Sequence, residues 1–408
     1  MPSVLACGMR ASRSRLLFPH FAIAPSLTRV TGPIEHMNVP APKVFRRDYA
    51  VRFGYALARC LVFSDFGQPD KVLKLHSHSI PPAYDDNITV KFLASPINPA
   101  DINQIEGVYP SKPRFTDSLG TGENSAVAGN EGVVEIVSCG SKVDSSIRPG
   151  QWAVMAGPGF GTWRTYASAK ASDLIPIPNK EGISPVQAAT VSVNPATAYR
   201  MLKDFGDLQE GDFFIQNAAN SGVGRSAIQI ARIWGIKSIN VVRDRPGIDD
   251  LKTELKELGG TEVLTEEEAR DKARIAEITG GRPIKLALNC VGGESATNLA
   301  RVLGHGGHLV TYGAMAKRPL SLPAGLLIFK DIHSHGFWIS AWSDKNPGAK
   351  SEMIVELLEW MRQGKFRDLP YEATTWSDST ELDTLLDVIR KGISEFAGKK
   401  GIFVMKDT

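Results

Sequence analysis

The chain has 408 residues, 42% of them hydrophobic and 22% charged, with a formal net charge of +3. That composition supports a core large enough for two domains and leaves no basic field of the kind that nucleic acid or an anionic membrane selects. No stretch approaches the roughly 20 apolar residues of a membrane span, and Cys7, Cys60, Cys139 and Cys290 lie too far apart for a zinc knuckle or a disulfide framework.

The first 34 residues hold Arg10, Arg13, Arg15 and Arg29, several serines and no acid before Glu35. An acid-free start containing Arg and Ser has the composition of a mitochondrial import signal, and Arg13 to Phe21 could form a short amphipathic turn. A disordered basic tail is the alternative reading. Removing the four arginines takes the formal charge from +3 to −1, so the mild basicity belongs to the leader. We place the leader over residues 1–48, and Arg46, Arg47, Arg52 and Arg59 allow cleavage as late as the fifties.

From Arg59 to Ile177 the apolar runs are short and separated by Gly, Pro, Asn and Asp, as at Leu61 to Phe63, Val90 to Ala94, Gly132 to Val137 and Gln151 to Met155. Such punctuation predicts short strands joined by turns, hence a mainly β domain over residues 49–190. Within it, Pro110 to Gly129 reads as a long loop, a length that usually marks a functional lid or a mobile insertion. Beyond Pro185 apolar strands alternate with helices of about ten to fifteen residues, the signature of a parallel sheet wound by helices. Six strands are expected across residues 191–345: Phe213 to Gln216, Ser238 to Val242, Glu262 to Leu264, Lys285 to Val291, Gly307 to Tyr312 and Ile332 to Ser340. Residues 346–408 then carry a helix from about Ser351 to Arg362, a polar segment, a helix near Thr380 to Arg390 and a strand from Gly401 to Met405, and are expected to rejoin the β domain.

The first of those strands runs into Asn217-Ala218-Ala219-Asn220-Ser221-Gly222-Val223-Gly224 and then a helix from Arg225 to Trp234. At such a junction the helix N-terminal N–H groups face an anion, and small residues let the backbone approach a pyrophosphate. Ala219 and Ser221 stand where a strict GxGxxG has glycines, so the context carries the assignment. The next strand ends at Arg243-Asp244-Arg245, about twenty residues on, where the ribose is read. Two guanidiniums there suit a 2′-phosphate and hence NADPH; Asp244 as an acceptor for the ribose hydroxyls of NAD is the competing reading.

Many reductases of this two-domain layout carry a catalytic zinc held in part by a Gly-His-Glu motif. Here that position reads Gly129-Asn130-Glu131-Gly132, and an asparagine amide cannot replace imidazole as a zinc ligand. No metal site is expected. His76, His78, His305, His308, His333 and His335 lack a supporting carboxylate pattern and are read as surface or core-edge residues.

Asn220 to Gly224 and Asn240-Val241-Val242-Arg243-Asp244-Arg245-Pro246, with Asn98 to Gln104, Gly107-Val108-Tyr109-Pro110-Ser111, Ser192 to Tyr199 and Gly336-Phe337-Trp338, resemble the mitochondrial trans-2-enoyl thioester reductases. These form part of the zinc-free branch of the medium-chain dehydrogenase/reductase superfamily. The resemblance runs from about Arg59 to the end and implies an α/β fold in which a Rossmann dinucleotide-binding domain joins a mainly β GroES-like catalytic domain. It implies NADPH-dependent reduction of a trans-2-enoyl thioester on acyl carrier protein or coenzyme A, a homodimer and a place in the mitochondrial matrix. It puts the catalytic role on Tyr109. The implied cofactor contacts are Asn194, Asn220, Ser221, Gly222, Val223, Arg243, Arg245, Tyr312, Gly313, Ala314, Met315, Phe337, Trp338, Ile339 and Lys400. Asp117 to Ala128 is longer than the family's usual stretch, and Ala314 stands where glycine is common.

A tyrosine hydroxyl stays protonated at neutral pH and can hydrogen-bond the enolate that forms when hydride adds to the β carbon of a conjugated thioester. Phe337 and Trp338 read first as strand core and second as walls of the nicotinamide and acyl slots. Lys112 and Arg114 could meet an acidic carrier protein. A zinc-free quinone or alkenal reductase, or a non-catalytic NADPH-binding regulatory protein, would share the cofactor features; the tyrosine motif and the leader argue against them.

Overall fold

The structure is a computed structural model that describes residues 56–392 and 398–406. The expected leader, residues 1–48, lies outside these residues. The first part contains β1 (Ala56–Phe63), helix α1 (Pro69–Val72), β2 (Lys74–Ile80), β3 (Asn87–Pro96), α2 (Pro99–Ile105), β4 (Ala126–Val127), β5 (Val133–Cys139), β6 (Trp152–Met155), β7 (Tyr166–Lys170) and β8 (Leu174–Pro176). Two helices follow, α3 (Pro185–Thr190) and α4 (Asn194–Asp204). In strand β3 Ile88, Val90, Phe92 and Ala94 form one fully buried face, with Lys91 and Leu93 less buried on the other, and the strand pairs antiparallel with both β5 and β7. A period of two with one face covered is what makes a strand of this segment.

The middle of the chain alternates strand and helix: β9 (Phe213–Gln216), α5 (Gly222–Ile233), β10 (Lys237–Val242), α6 (Ile248–Glu257), β11 (Glu262–Thr265), α7 (Lys272–Thr279), β12 (Ile284–Asn289), α8 (Gly293–Val302), β13 (Leu303–Thr311), α9 (Ala324–Lys330) and β14 (His333–Gly336). All six strands are parallel, in the order β11-β10-β9-β12-β13-β14. That is the doubly wound Rossmann order, with β9 central, all four of its residues buried. One expected strand is shorter: Ile332 to Ser340 contracts to His333–Gly336, an exposed edge strand, and Phe337 and Trp338 lie beyond its end. The apolar run that suggested a longer strand is the lining of a cleft.

The chain ends with α10 (Ile339–Lys345), α11 (Pro347–Arg362), β15 (Tyr371–Trp376), α12 (Leu382–Gly392) and β16 (Lys400–Met405). Strand β16 pairs with β3 and β15 in the seven-stranded sheet β15-β16-β3-β5-β6-β8, with β7 also on β3. Phe403 is fully buried, edge-on to Trp163 at 5.6 Å and to Trp376 at 5.4 Å. Truncating a ring so enclosed typically costs about 3–5 kcal/mol, so this contact anchors the tail. The segment around β15 had read as merely polar, because four of the six residues of this edge strand are exposed.

Candidate active site

The strand order reverses between β9 and β12, and a doubly wound sheet offers its ligand crevice at the carboxyl ends of the strands flanking that reversal. The connection after β9 leads to Ser221, whose Oγ accepts from Gly224 N at 3.1 Å and caps α5. Gly224 permits the turn: a Cβ there would lie 2.6 Å from the Ala219 carbonyl oxygen. Ala218 adopts φ +48°, a left-handed conformation that a non-glycine residue holds only when its surroundings impose it. Buried amides impose it here. Gln216 Nε2 donates to Gly224 O, and Asn217 donates from Nδ2 to Asn289 Oδ1 while its Oδ1 accepts from Cys290 N.

Asn220, Ser221, Gly222 and Val223 thus sit together at the mouth of the crevice. Asn194, the first residue of α4, packs on Gly222, and its Nδ2 is buried without a hydrogen-bond partner. An orphaned buried donor beside a helix N-terminus fits a bound anionic dinucleotide, which would supply the missing acceptor. Tyr312, Gly313, Ala314 and Met315 follow β13 on the other side. Tyr312 N donates to Asn289 O and Met315 N to Cys290 O, and a Cβ on Gly313 would meet Cys290 Sγ at 2.9 Å. Past the end of β10, Arg243 is exposed and Arg245 half-buried, and neither bonds to another described residue. Both guanidiniums are available to an external phosphate.

Tyr109 comes from the other domain. It follows α2 through Gly107, which adopts φ +75° with no room for a side chain, since a Cβ would lie 2.7 Å from Phe66 Cγ. Val108 N and Tyr109 N both donate to Asn103 O, closing the turn. The indole Nε1–H of Trp338 donates to Tyr109 Oη at 2.8 Å, with the rings edge to face at 5.8 Å. Burial raises the phenol's pKa above its ordinary 10, and hydrogen bonds from Trp338 and Ser340 oppose the rise. The hydroxyl is therefore protonated at neutral pH, and because it accepts from Trp338 its own proton is left to donate. Beside it a cleft of about 520 Å³ is lined by Thr311, Tyr312, Phe337, Trp338, Trp342 and Lys345 among others. Ile339 begins α10 at the edge of this cleft.

Beneath the crevice lies a cluster that the sequence did not single out. Asp101 and Glu131 are almost fully buried. Asp101 accepts from Asn98 N and from Asn130 Nδ2, both at 2.7 Å, and Asn130 Oδ1 accepts from Gly159 N. Glu131 accepts from Asn98 Nδ2 and from Val193 N. Lys400, one of the expected cofactor contacts, donates from Nζ to Ile97 O and to Asn98 Oδ1 and so also belongs to this cluster. Lys350 Nζ donates to Ala156 O nearby. Asn130 thus spends its amide on protein partners. A clue was present in Glu131 itself, an acid followed by the apolar run Val133-Val134 of a core strand.

Burial pushes the Glu131 carboxyl up to about 7 and that of Asp101 up to about 6, against the partial relief of Lys400 and the neighbouring donors. Between the ordinary carboxyl values and these raised ones the native state holds more protons than the unfolded chain. The two groups therefore lower stability as pH rises through that window. Unfolding Glu131→Gln beside the parent from about pH 5 to about pH 8 should shift the stability difference progressively towards the variant. A difference that does not change with pH would mean that Glu131 titrates normally.

An all-parallel nucleotide sheet, a β domain that hangs a protonated tyrosine over its crevice, and two free guanidiniums past β10 define a two-domain, nicotinamide-dependent reductase. The family model described as zinc-binding dehydrogenase matches residues 222–360, a span that leaves out Gly129 to Gly132. The mitochondrial enoyl-[acyl-carrier-protein] reductase of Yarrowia lipolytica is 47% identical over 341 residues, covering 83% of this chain and 88% of that protein. Among solved structures, the mitochondrial 2-enoyl thioester reductase Etr1p/Etr2p heterodimer from Candida tropicalis superposes with a TM-score of 0.81 at 38% identity, covering 86% of this chain and all of that one. The complex of Etr1p with NADP and crotonyl-CoA gives the same values. The chain belongs to the mitochondrial enoyl-[acyl-carrier-protein] reductase family.

Proposed function

We propose that this chain reduces the α,β double bond of trans-2-enoyl thioesters with NADPH, in mitochondrial fatty acid synthesis. The observation that carries the reading is the Tyr109 hydroxyl, fixed by Trp338 beside the cleft with its proton free. NADPH, when bound, supplies the hydride. Asn194, the Asn220 to Val223 loop, Tyr312 to Met315 and Phe337 to Ile339 would hold its nicotinamide and pyrophosphate, and Arg243 and Arg245 its 2′-phosphate. Tyr109 donates a hydrogen bond to the thioester oxygen as negative charge develops there. Phe337, Trp338 and Trp342 wall the acyl chain from water, which strengthens that bond.

The test is NADPH oxidation by the purified protein with a trans-2-hexenoyl thioester, with a quinone and with no acceptor. Turnover confined to the thioester is expected. Preference for the quinone would favour a quinone reductase, and no turnover with either would favour a cofactor-binding protein without catalysis.

The finer assignments follow from the same reading. The enzyme acts in the mitochondrial matrix, directed there by residues 1–48; residues 49–190 form the GroES-like substrate domain, 191–345 the Rossmann domain and 346–408 a segment returning to the substrate domain. Its partner is acyl carrier protein. Lys112 and Arg114 are exposed just past Tyr109, although Lys112 also donates to Gly107 O. Reversing both charges should raise KM for a carrier-bound enoyl substrate by about tenfold and leave KM for a short coenzyme A ester nearly unchanged; equal effects would remove these residues from carrier recognition. We infer a homodimer, supported by Ile328 and Phe329, which are 70% and 79% exposed on α9 beside the edge strand β14. A monomeric mass by light scattering would contradict it.

A further inference from the structure

The cluster beneath the crevice forms one line of hydrogen bonds with a fixed direction. An ammonium can only donate, and Lys400 Nζ donates to Asn98 Oδ1 at 2.7 Å. That fixes which way the Asn98 amide faces, so its Nδ2 is turned to Glu131 Oε2 at 2.9 Å. The second oxygen, Glu131 Oε1, accepts from Val193 N at 2.8 Å. Both oxygens at position 131 must therefore accept; a carboxyl group keeps a lone pair on each oxygen whether or not it is protonated, whereas the nitrogen of an amide has none to offer.

The two ends of this line lead to the two segments that carry the site. Asn98 immediately precedes α2, whose C-terminal turn presents Tyr109. Val193 immediately precedes Asn194, whose side chain lies so close to Gly222 that a Cβ there would be 2.9 Å from Asn194 Cγ. Gly222 is the first residue of α5. Glu131 is thus the only bridge in the line between the tyrosine side and the anion-binding helix end among the described residues. Lys400 from β16, Asp101 from α2 and Lys350 from α11 are the charged groups that face it.

We infer that Glu131 is a positioning residue for the cofactor: through Val193 it sets Asn194 against Gly222 and fixes that segment relative to α2, the helix that Tyr109 follows. The inference rests on the NADPH-dependent reading above and concerns a residue with no direct part in the chemistry.

Glu131→Gln tests it. The new amide nitrogen must face either Val193 N or Asn98 Nδ2, donor against donor, and Asn98 cannot turn over because Lys400 holds its oxygen. NADPH affinity, read by fluorescence titration without substrate, should weaken by about tenfold or more, the usual consequence of an unsatisfied buried donor. The kcat should fall with it, while KM for crotonyl-CoA stays within about threefold. Adding Asn98→Asp restores the direction of the line at the original net charge. The new carboxylate at 98 accepts from Lys400 and from the amide at 131, whose oxygen then accepts from Val193. The double variant should therefore recover NADPH affinity to within about threefold of the parent.

A merely structural defect at Glu131 would not be relieved by a second substitution of this kind. Parent-like NADPH affinity in the single variant, or a folded double variant that binds no better than the single one, would overturn the inference. Should the single variant not fold, the folded double variant decides by the same threshold against the parent. Because the titration needs no turnover, a parent that fails to reduce enoyl thioesters would sink the functional reading and still leave the Glu131 result legible.

Discussion

Tyr109→Phe is expected to lower kcat with a trans-2-hexenoyl thioester by about 10²-fold or more, with little change in NADPH affinity. The substitution keeps the ring that meets Trp338 edge to face and deletes the hydroxyl alone. What is lost is a donor aimed at an oxygen that becomes charged only as the reaction proceeds, and such donors are worth about 10²- to 10³-fold in kcat. The Trp338 Nε1–H loses its acceptor as well. That partner is 38% exposed, so water can replace the acceptor and the effect on folding should be small. Steady-state kinetics on the variant decide the matter, and a kcat within about twofold of the parent would take Tyr109 out of the mechanism.

The second large effect should fall on the cofactor's far end. Arg243→Ala with Arg245→Ala is expected to raise KM for NADPH by roughly 10²-fold, since each charge-assisted hydrogen bond to a phosphate is worth about 1.5–3 kcal/mol and some is recovered by water. KM for NADH should barely move, because a 2′-hydroxyl has no charge for the arginines to meet. The preference between the two cofactors therefore collapses while kcat is retained. Measuring KM for both cofactors in one preparation tests this. If both rise equally, the arginines act on something the cofactors share.

The parts of the site that could be read from sequence are those in which chemistry and spacing are local. The run Phe213 to Gln216 is four consecutive buried residues flanked by small ones, which only a central strand entering a tight turn accommodates. Arg243 follows directly from the end of the neighbouring strand. Glu131 and Lys400 were harder, because Asn98 joins them across 33 and 302 residues of sequence and their meaning lies in the direction of its hydrogen bonds. Lys400 was expected to touch the cofactor; that it also orients Asn98 was not legible. Phe337 and Trp338 misled for another reason: an apolar pair looks the same whether it fills a core or lines a cleft. The edge strand β15 escaped notice because four of its six residues are exposed and its burial has no period of two.

The central claim is that this chain delivers hydride from NADPH to the β carbon of an enoyl thioester under the hydroxyl of Tyr109. It is tested most directly by supplying NADPH deuterated at the transferable position with a trans-2-hexenoyl thioester and locating the label in the product by NMR. The expected result is one deuterium at the β carbon of a hexanoyl thioester, formed by the parent and at least about 10²-fold more slowly by Tyr109→Phe. Deuterium at the α carbon, or consumption of NADPH with the double bond intact, would contradict it.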